Sequence, residues 1–293
     1  MIKGEKMDYQ WLFDRPIAHR GLHNEELPEN SIPAFQNAID HDFNIEIDVH
    51  LTKDGRLVVF HDDNLKRICG VDKLVKNCTL EELKTYRLKD TENQIPTFDE
   101  FLDLVNDQVG ILCEIKGINP FKHDIARATI ERLKTYDGRI ALQAFNFGDV
   151  AYARKRTELP VGELCTWVAL DLHTYRWLPC NFMGKLWVNK YTKPDFISYD
   201  VRGTLTDYTT SKGKHRTHRA NDYIVKWSKR LPVIFWTVDS DENVEQAKRY
   251  ASNIIFEKIG AEKANEAFKD LQPFTCEESA LPKNFERKEL KPL

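Results

Sequence analysis

Hydrophobic and polar positions alternate with a period of two at the start of the stretch Ile45 to Asp62, IEIDVHLTKDGRLVVFHD, and this alternation predicts a strand. Side chains two apart on a strand point the same way, so Ile45, Ile47 and Val49 share one face and Glu46 and Asp48 share the other. Lys53-Asp54-Gly55 is a tight-turn signal. The apolar run Leu57 to Phe60 then reads as a return segment that carries His61 and Asp62 back toward the two carboxylates. An alternating acid pair taken alone is more often the solvated face of a half-buried strand, so its meaning depends on what else converges on it.

The pattern repeats along the chain. PIAHRG, Pro16 to Gly21, reads as a short strand ending in His19 and Arg20. It is followed by a loop with Pro28-Glu29-Asn30-Ser31 and a helical run, Ile32 to Ile39, capped by Asn30 or Ser31 with Pro33 in its first turn. A longer excursion, Asn64 to Val109, contains Thr79 and Glu82 at capping-box spacing and a second helix opening at Pro96 to Glu100 and running to about Val105. Further strands are predicted at Gly110 to Gly117, Ile140 to Asn146, Val161 to Cys165, Phe196 to Val201, Pro232 to Ser240 and Asn253 to Phe256. Helices are predicted at Pro120 to Tyr136, Phe147 to Thr157, Ala220 to Lys229 and Asn243 to Tyr250. The strands, counted from Pro16, number eight and are mostly followed by helices, which is the α/β pattern of a (β/α)8 TIM barrel with a small insertion after strand 2. The barrel is expected over residues 12–271, the insertion at about 64–109, and a peripheral tail over 272–293.

Composition narrows the class. A chain of 293 residues accommodates such a barrel, which runs to about 250 residues as one unit. Charged residues make up 30% with a formal net charge of -3, so no nucleic-acid partner is indicated. The six cysteines lack CxxC spacing, which argues against zinc and for a reducing compartment, although Cys69 and Cys78 are near enough to meet across a loop. No signal-peptide core and no run of roughly 18 apolar residues is present, so a cytoplasmic protein without stable membrane insertion is expected.

In a TIM barrel the chemistry lies at the carboxyl ends of the strands. The polar residues expected there are His19 and Arg20 on the first strand, Glu46 and Asp48 on the second, Glu114 and Lys116 on the third, Gln143 on the fourth and Trp236 on the seventh. Their convergence favours a functional reading of the acid pair.

With HRG, PENS, IEIDVHLTKDGRLVVFHD, TLEEL, IPTFDEFL and EIKG standing in this order, the chain resembles the glycerophosphodiester phosphodiesterase family over about Pro16 to Gly117, and more loosely at LQAFN and FWTVDS. The resemblance implies a TIM barrel, a divalent metal on Glu46, Asp48 and Glu114, His19 and His61 as an acid/base pair, and Arg20 and Lys116 near phosphate. Gln143 and Trp236 complete the expected substrate set. Two departures stand out: Ala144 where the family often has serine, and IIFEKIG where its last strand often ends in an acid and a proline. Both are expected to lie away from the site.

The residues support the same chemistry independently. Three carboxylates in one mouth raise each other's pKa unless a cation joins them, and an all-oxygen set suits Ca²⁺ or Mg²⁺. Three carboxylates, a divalent metal, Arg20 and Lys116 leave about one positive charge, which a phosphodiester monoanion balances. Two imidazoles supply an acid and a base near working pH. The small-molecule substrate expected is therefore a glycerophosphodiester cleaved to sn-glycerol 3-phosphate and an alcohol. The alternatives are a lysophospholipid or phosphoinositide phosphodiesterase on the same barrel, or a non-catalytic barrel binding a phosphorylated ligand. His50 continues the parity of Glu46 and Asp48 but is expected to turn away, and His23 reads as a surface residue. The aromatics Trp167, Tyr175, Trp177, Phe182, Trp187 and Tyr191 read as helix packing or a greasy wall for the alcohol, and Lys212 to Arg219 as a solvated basic loop.

Overall fold

The structure, a computed structural model, describes residues 9–166, 186–204, 207–209, 215–217 and 221–274. Trp167, Tyr175, Trp177 and Phe182, parts of the basic loop and the tail beyond 274 lie outside the described residues.

Parity along each strand decides which residues face the helices and which fill the barrel. In β2 (Asn44–Leu51), Ile45, Ile47 and Val49 join the outer core beneath the helices, as their alternation predicts, while Glu46 and Asp48 have the inward parity. The same split holds in β4 (Ile111–Ile115), where Ile111, Cys113 and Ile115 face out. Together with β1 (Ile17–Ala18), β5 (Ile140–Ala144), β6 (Val161–Cys165), β7 (Phe196–Asp200), β10 (Val233–Val238) and β11 (Asn253–Phe256) these strands form a parallel sheet. β1 pairs with both β2 and β11, which closes the eight into a barrel. The short strand β3 (Leu57–Val59) runs antiparallel to β2 outside this ring, and β8 (Asp207–Thr209) and β9 (His215–Thr217) form a separate hairpin that the pattern did not predict.

The barrel interior is layered. Ile17, Leu112, Ala141, Phe196, Ile234 and Ile255 pack with Leu12 into an apolar plug. Each of its leucine, isoleucine and phenylalanine side chains contributes about 1.5–3 kcal/mol on full burial. Asn44 and Asn253 clamp the turn Gln10–Phe13 under this plug by donating to the carbonyls of Trp11 (3.0 Å) and Leu12 (2.6 Å). One step toward the carboxyl ends the inward positions turn polar: Glu46, Glu114, Gln143 and Ser198. A dry floor therefore supports a polar mouth.

Between β3 and β4 the chain forms its own small core from Val58, Phe60, Leu65, Ile68, Val75, Cys78, Leu83, Leu88 and Ile95. The helix Phe98–Val105 begins with a full capping box at Thr97 and Glu100. At Thr79 only half of the expected box forms: Thr79 caps the amide of Glu82, but the Glu82 carboxylate is drawn away to Lys73 and Tyr86. Cys69 and Cys78 are both free thiols, so no disulfide joins them. Among the described residues no helix is long and apolar enough to cross a membrane.

Candidate active site

The strand register brings the acids together. Asp48 on β2 stands opposite Glu114 on β4, and Glu114 opposite Gln143 on β5. A ligand oxygen from each of Glu46, Asp48 and Glu114 lies within 4.8 Å of the others, and all three side chains are buried. Lys116, just past β4, reaches back to Glu114 Oε1 (2.7 Å) and Asp48 Oδ1 (2.9 Å).

Burial and the neighbouring acids push the Glu46 carboxyl well above its usual range. Burial also lifts Glu114, to about 7, although Lys116 draws it down. Asp48 would rise through burial too, but Lys116, His61, Arg20 and a hydrogen bond from Asn30 (2.9 Å) hold it well below the ordinary carboxylate range. Asp48 Oδ1 accepts no well-aligned hydrogen bond despite its ion pair with Lys116. A buried oxygen without a hydrogen bond, beside a carboxyl whose ionisation burial and its neighbours oppose, fits an all-oxygen cage for a hard divalent cation.

The loop after β1 supplies the next layer. Arg20 adopts φ 56° and Gly21 φ 83°, and a Cβ on Gly21 would come within 2.9 Å of the backbone of Ala34, so the HRG turn needs glycine there. Asn30, itself at φ 52°, donates its amide to the Arg20 carbonyl (2.9 Å). Arg20 Nη1 meets Glu29 Oε1 (2.7 Å), its Nε lies 3.6 Å from Asp48, and its backbone amide donates to Glu46 (3.2 Å). Pro28-Glu29-Asn30-Ser31 thus does more than cap the helix Ile32–Asp40, which Ser31 does through the amide of Ala34: Glu29 holds Arg20 and Asn30 holds Asp48.

Each histidine of the expected pair has its Nδ1 engaged by a carboxylate. His19 Nδ1 lies 2.6 Å from Glu257 Oε2, and His61 Nδ1 lies 2.5 Å from Asp62 Oδ1. His19 Nε2 is 4.0 Å from Glu46. Phe60 donates its amide to the Asp48 carbonyl (3.0 Å), which ties the return segment, and so His61, to the acid strand. Arg67 bridges Asp62 and Glu29 through contacts of 2.7 to 2.9 Å, linking the two halves of the site. Burial lowers the pKa of both imidazoles, with Glu257 and Asp48 respectively opposing the shift.

Four further expectations meet the structure here. The acid in IIFEKIG does not lie away from the site: it is Glu257, the partner of His19. His23 is not a surface residue, because its Nε2 lies 3.6 Å from Glu257 and its side chain is mostly buried. His50 turns from the acids and places Nε2 3.1 Å from the His61 carbonyl, where it braces the return segment. Gln143 is buried beside Glu114 and accepts from Ser198 Oγ (2.6 Å), while Trp236 packs edge-on against Phe145 with its indole N–H buried and unpartnered. Glu29, Asn30, Asp62, Arg67 and Glu257 were not anticipated as site residues.

The chain is similar to known proteins. Residues 19–257 match the glycerophosphoryl diester phosphodiesterase family. A glycerophosphodiester phosphodiesterase of Caldanaerobacter subterraneus subsp. tengcongensis is 36% identical over 140 residues, covering 44% of this chain and 57% of that protein. A lysophospholipase D of Rattus norvegicus is 43% identical over 81 residues, 27% of this chain and 26% of that protein. The matched stretch thus spans less than two thirds of these curated relatives. In fold, the chain resembles an Oleispira antarctica phosphodiesterase solved with the product sn-glycerol-3-phosphate (TM-score 0.67, 19% identity, covering 89% of this chain and 99% of that one). It also resembles an Agrobacterium tumefaciens protein described as a putative glycerophosphoryl diester phosphodiesterase (TM-score 0.70, 16% identity, 87% and 97% covered). The chain belongs to the glycerophosphoryl diester phosphodiesterase family.

Proposed function

We propose that this chain hydrolyses glycerophosphodiesters to sn-glycerol 3-phosphate and an alcohol. The observation that carries the reading is the paired arrangement of the histidines: each has Nδ1 tied to a carboxylate and faces a cluster of buried acids and cations. A carboxylate on Nδ1 takes that N–H, fixes the tautomer and leaves Nε2 as the proton-transfer atom. One imidazole, neutral, then takes through Nε2 the proton of the attacking hydroxyl, whether of water or of the glycerol beside the phosphate, and the other, as the imidazolium, gives its Nε2 proton to the departing alcohol.

Glu46, Asp48 and Glu114 would hold Ca²⁺ or Mg²⁺, which when bound supplies positive charge to the crowded phosphoryl oxygens. Arg20 and Lys116 add fixed cations at the same mouth, and Glu29 keeps Arg20 extended toward Asp48. Gln143 and Trp236, at the carboxyl ends of their strands, are the proposed contacts for the glycerol, and the unpartnered indole N–H of Trp236 is the donor free to make one. Product analysis of glycerophosphocholine turnover by phosphorus NMR tests the assignment. Glycerol 3-phosphate is expected; phosphocholine with free glycerol would place the cleaved bond on the wrong side of phosphorus.

A lysophospholipid as the diester is the second reading. The observation favouring it is the similarity of 81 residues to a protein named as a lysophospholipase D.

A further inference from the structure

We propose that the rim formed by the loop after β4 docks on a lipid surface bearing anionic headgroups. The docking does not rest on the phosphodiesterase reading above.

Ile118 and Phe121 are 71% and 88% exposed on the loop that follows Glu114 and Lys116. Gly148 packs so closely on this loop that a Cβ there would lie 2.2 Å from the Pro120 carbonyl oxygen, so the first turn of the helix after β5, Phe147–Ala153, touches it. That turn presents Phe147, also exposed, whose ring centroid is 6.4 Å from that of exposed Tyr191. The Gly148–Pro120 contact thus sets these exposed apolar residues on neighbouring segments that leave β4 and β5 at their carboxyl ends. Water gains nothing from such residues, whereas an acyl layer would bury them and leave the tyrosine hydroxyl at the headgroups.

The charges around these residues select the surface. Lys122 follows Phe121, and Lys76 faces Ile118 across a cavity of about 380 Å³ that Lys116 also lines, so the cavity reaches from the rim to the site. Both Lys76 and Lys122 are exposed, and neither makes a salt bridge among the described residues. Asp124 pairs with Arg127 (2.6 Å) and buried Asp149 with His123 (2.7 Å), while Asp63, 4.0 Å from a His50 whose pKa burial lowers, offsets only one of the two lysines. The uncompensated charge at the rim is positive, which complements anionic headgroups. It disfavours a second copy of the chain, because a two-fold contact would bring the same lysines toward one another.

Co-sedimentation of the full chain, under chelation so that no turnover occurs, tests this with vesicles of phosphatidylcholine alone and of phosphatidylcholine mixed with phosphatidylserine. The wild type is expected to sediment with the mixed vesicles and to be released by salt. Phe121→Ser is expected to weaken that binding about tenfold while its turnover of water-soluble glycerophosphocholine stays at the wild-type level. Lys122→Glu is expected to remove the preference for anionic vesicles. Absence of sedimentation with either vesicle, or equal binding by Phe121→Ser, overturns the proposal, as does a concentration-dependent dimer that Phe121→Ser abolishes. Vesicle binding without hydrolysis of any diester would instead sink the phosphodiesterase reading and leave the docking standing.

Discussion

Glu257 Oε2 lies 2.6 Å from His19 Nδ1, joining the last strand of the barrel to the first across 238 positions of the chain. The contact ties His19 to barrel closure, because β1 and β11 must pair before His19 acquires its carboxylate, and under the proposed function closure becomes a condition of catalysis.

Glu257→Gln is expected to lower kcat by about 10–100-fold with little change in KM, since the amide still fills the space but no longer favours the imidazolium. Glu257 raises the His19 pKa against the effect of burial. Removing its charge therefore lowers that pKa further, and the limb of the kcat/KM profile that reports His19 should move to lower pH. An unmoved profile would mean that Glu257 serves only packing.

The acid strand was legible because a period of two and a buried partner face leave Glu46 and Asp48 no other direction. Glu114 and Lys116 followed from the same parity on a second strand. The supporting residues were harder to read. Glu29 and Asn30 sit in a helix entry whose capping role already accounted for their types, and only the left-handed turn at Arg20 shows that the Glu29 side chain meets Arg20 and that of Asn30 meets Asp48. Asp62 stands beside His61 in the chain, but its bond to Arg67 depends on the packing of the short helix Lys66–Cys69. Glu257 could have been found: it follows directly on the last strand, where the rule for barrel mouths applies as well as it does at Trp236.

Glu46→Gln, Asp48→Asn and Glu114→Gln each remove one anionic oxygen from the cage, and each is expected to weaken Ca²⁺ or Mg²⁺ binding at least tenfold by calorimetry. Excess metal should restore part of the activity. Unchanged affinity in all three would misplace the cage.

His19→Ala and His61→Ala are each expected to lower kcat by about two to four orders of magnitude on glycerophosphocholine, with metal affinity nearly intact. On a p-nitrophenyl diester, whose leaving group scarcely needs a proton, the variant lacking the general acid should recover most of its rate. We assign that role to His61; recovery in His19→Ala instead would exchange the two roles. Recovery in neither would show that the imidazoles position phosphate rather than transfer protons.

Glu29 links the two arginines, and although burial alone would raise its pKa, Arg67 and Arg20 hold it at about 2. A carboxyl depressed in this way contributes stability that is fully present above its unfolded value of 4.5 and is lost as pH falls toward 2. The contribution is roughly 3 kcal/mol at most, and the half-exposed Arg67 brings it nearer to about 1–2 kcal/mol. Arg67→Ala should therefore lower the midpoint of urea unfolding at pH 7 and flatten its dependence on pH between those two values. An equal slope in the variant would remove Glu29 from the acid-sensitive set.

Release of glycerol 3-phosphate from glycerophosphocholine, followed in chelated protein and again after Ca²⁺ or Mg²⁺ is returned, tests the central claim most directly. The account predicts hydrolysis that disappears on chelation, returns with the cation, and stays at background in Asp48→Asn at ordinary metal concentration. Hydrolysis indifferent to chelator, or none of any phosphodiester with metal present, would contradict it.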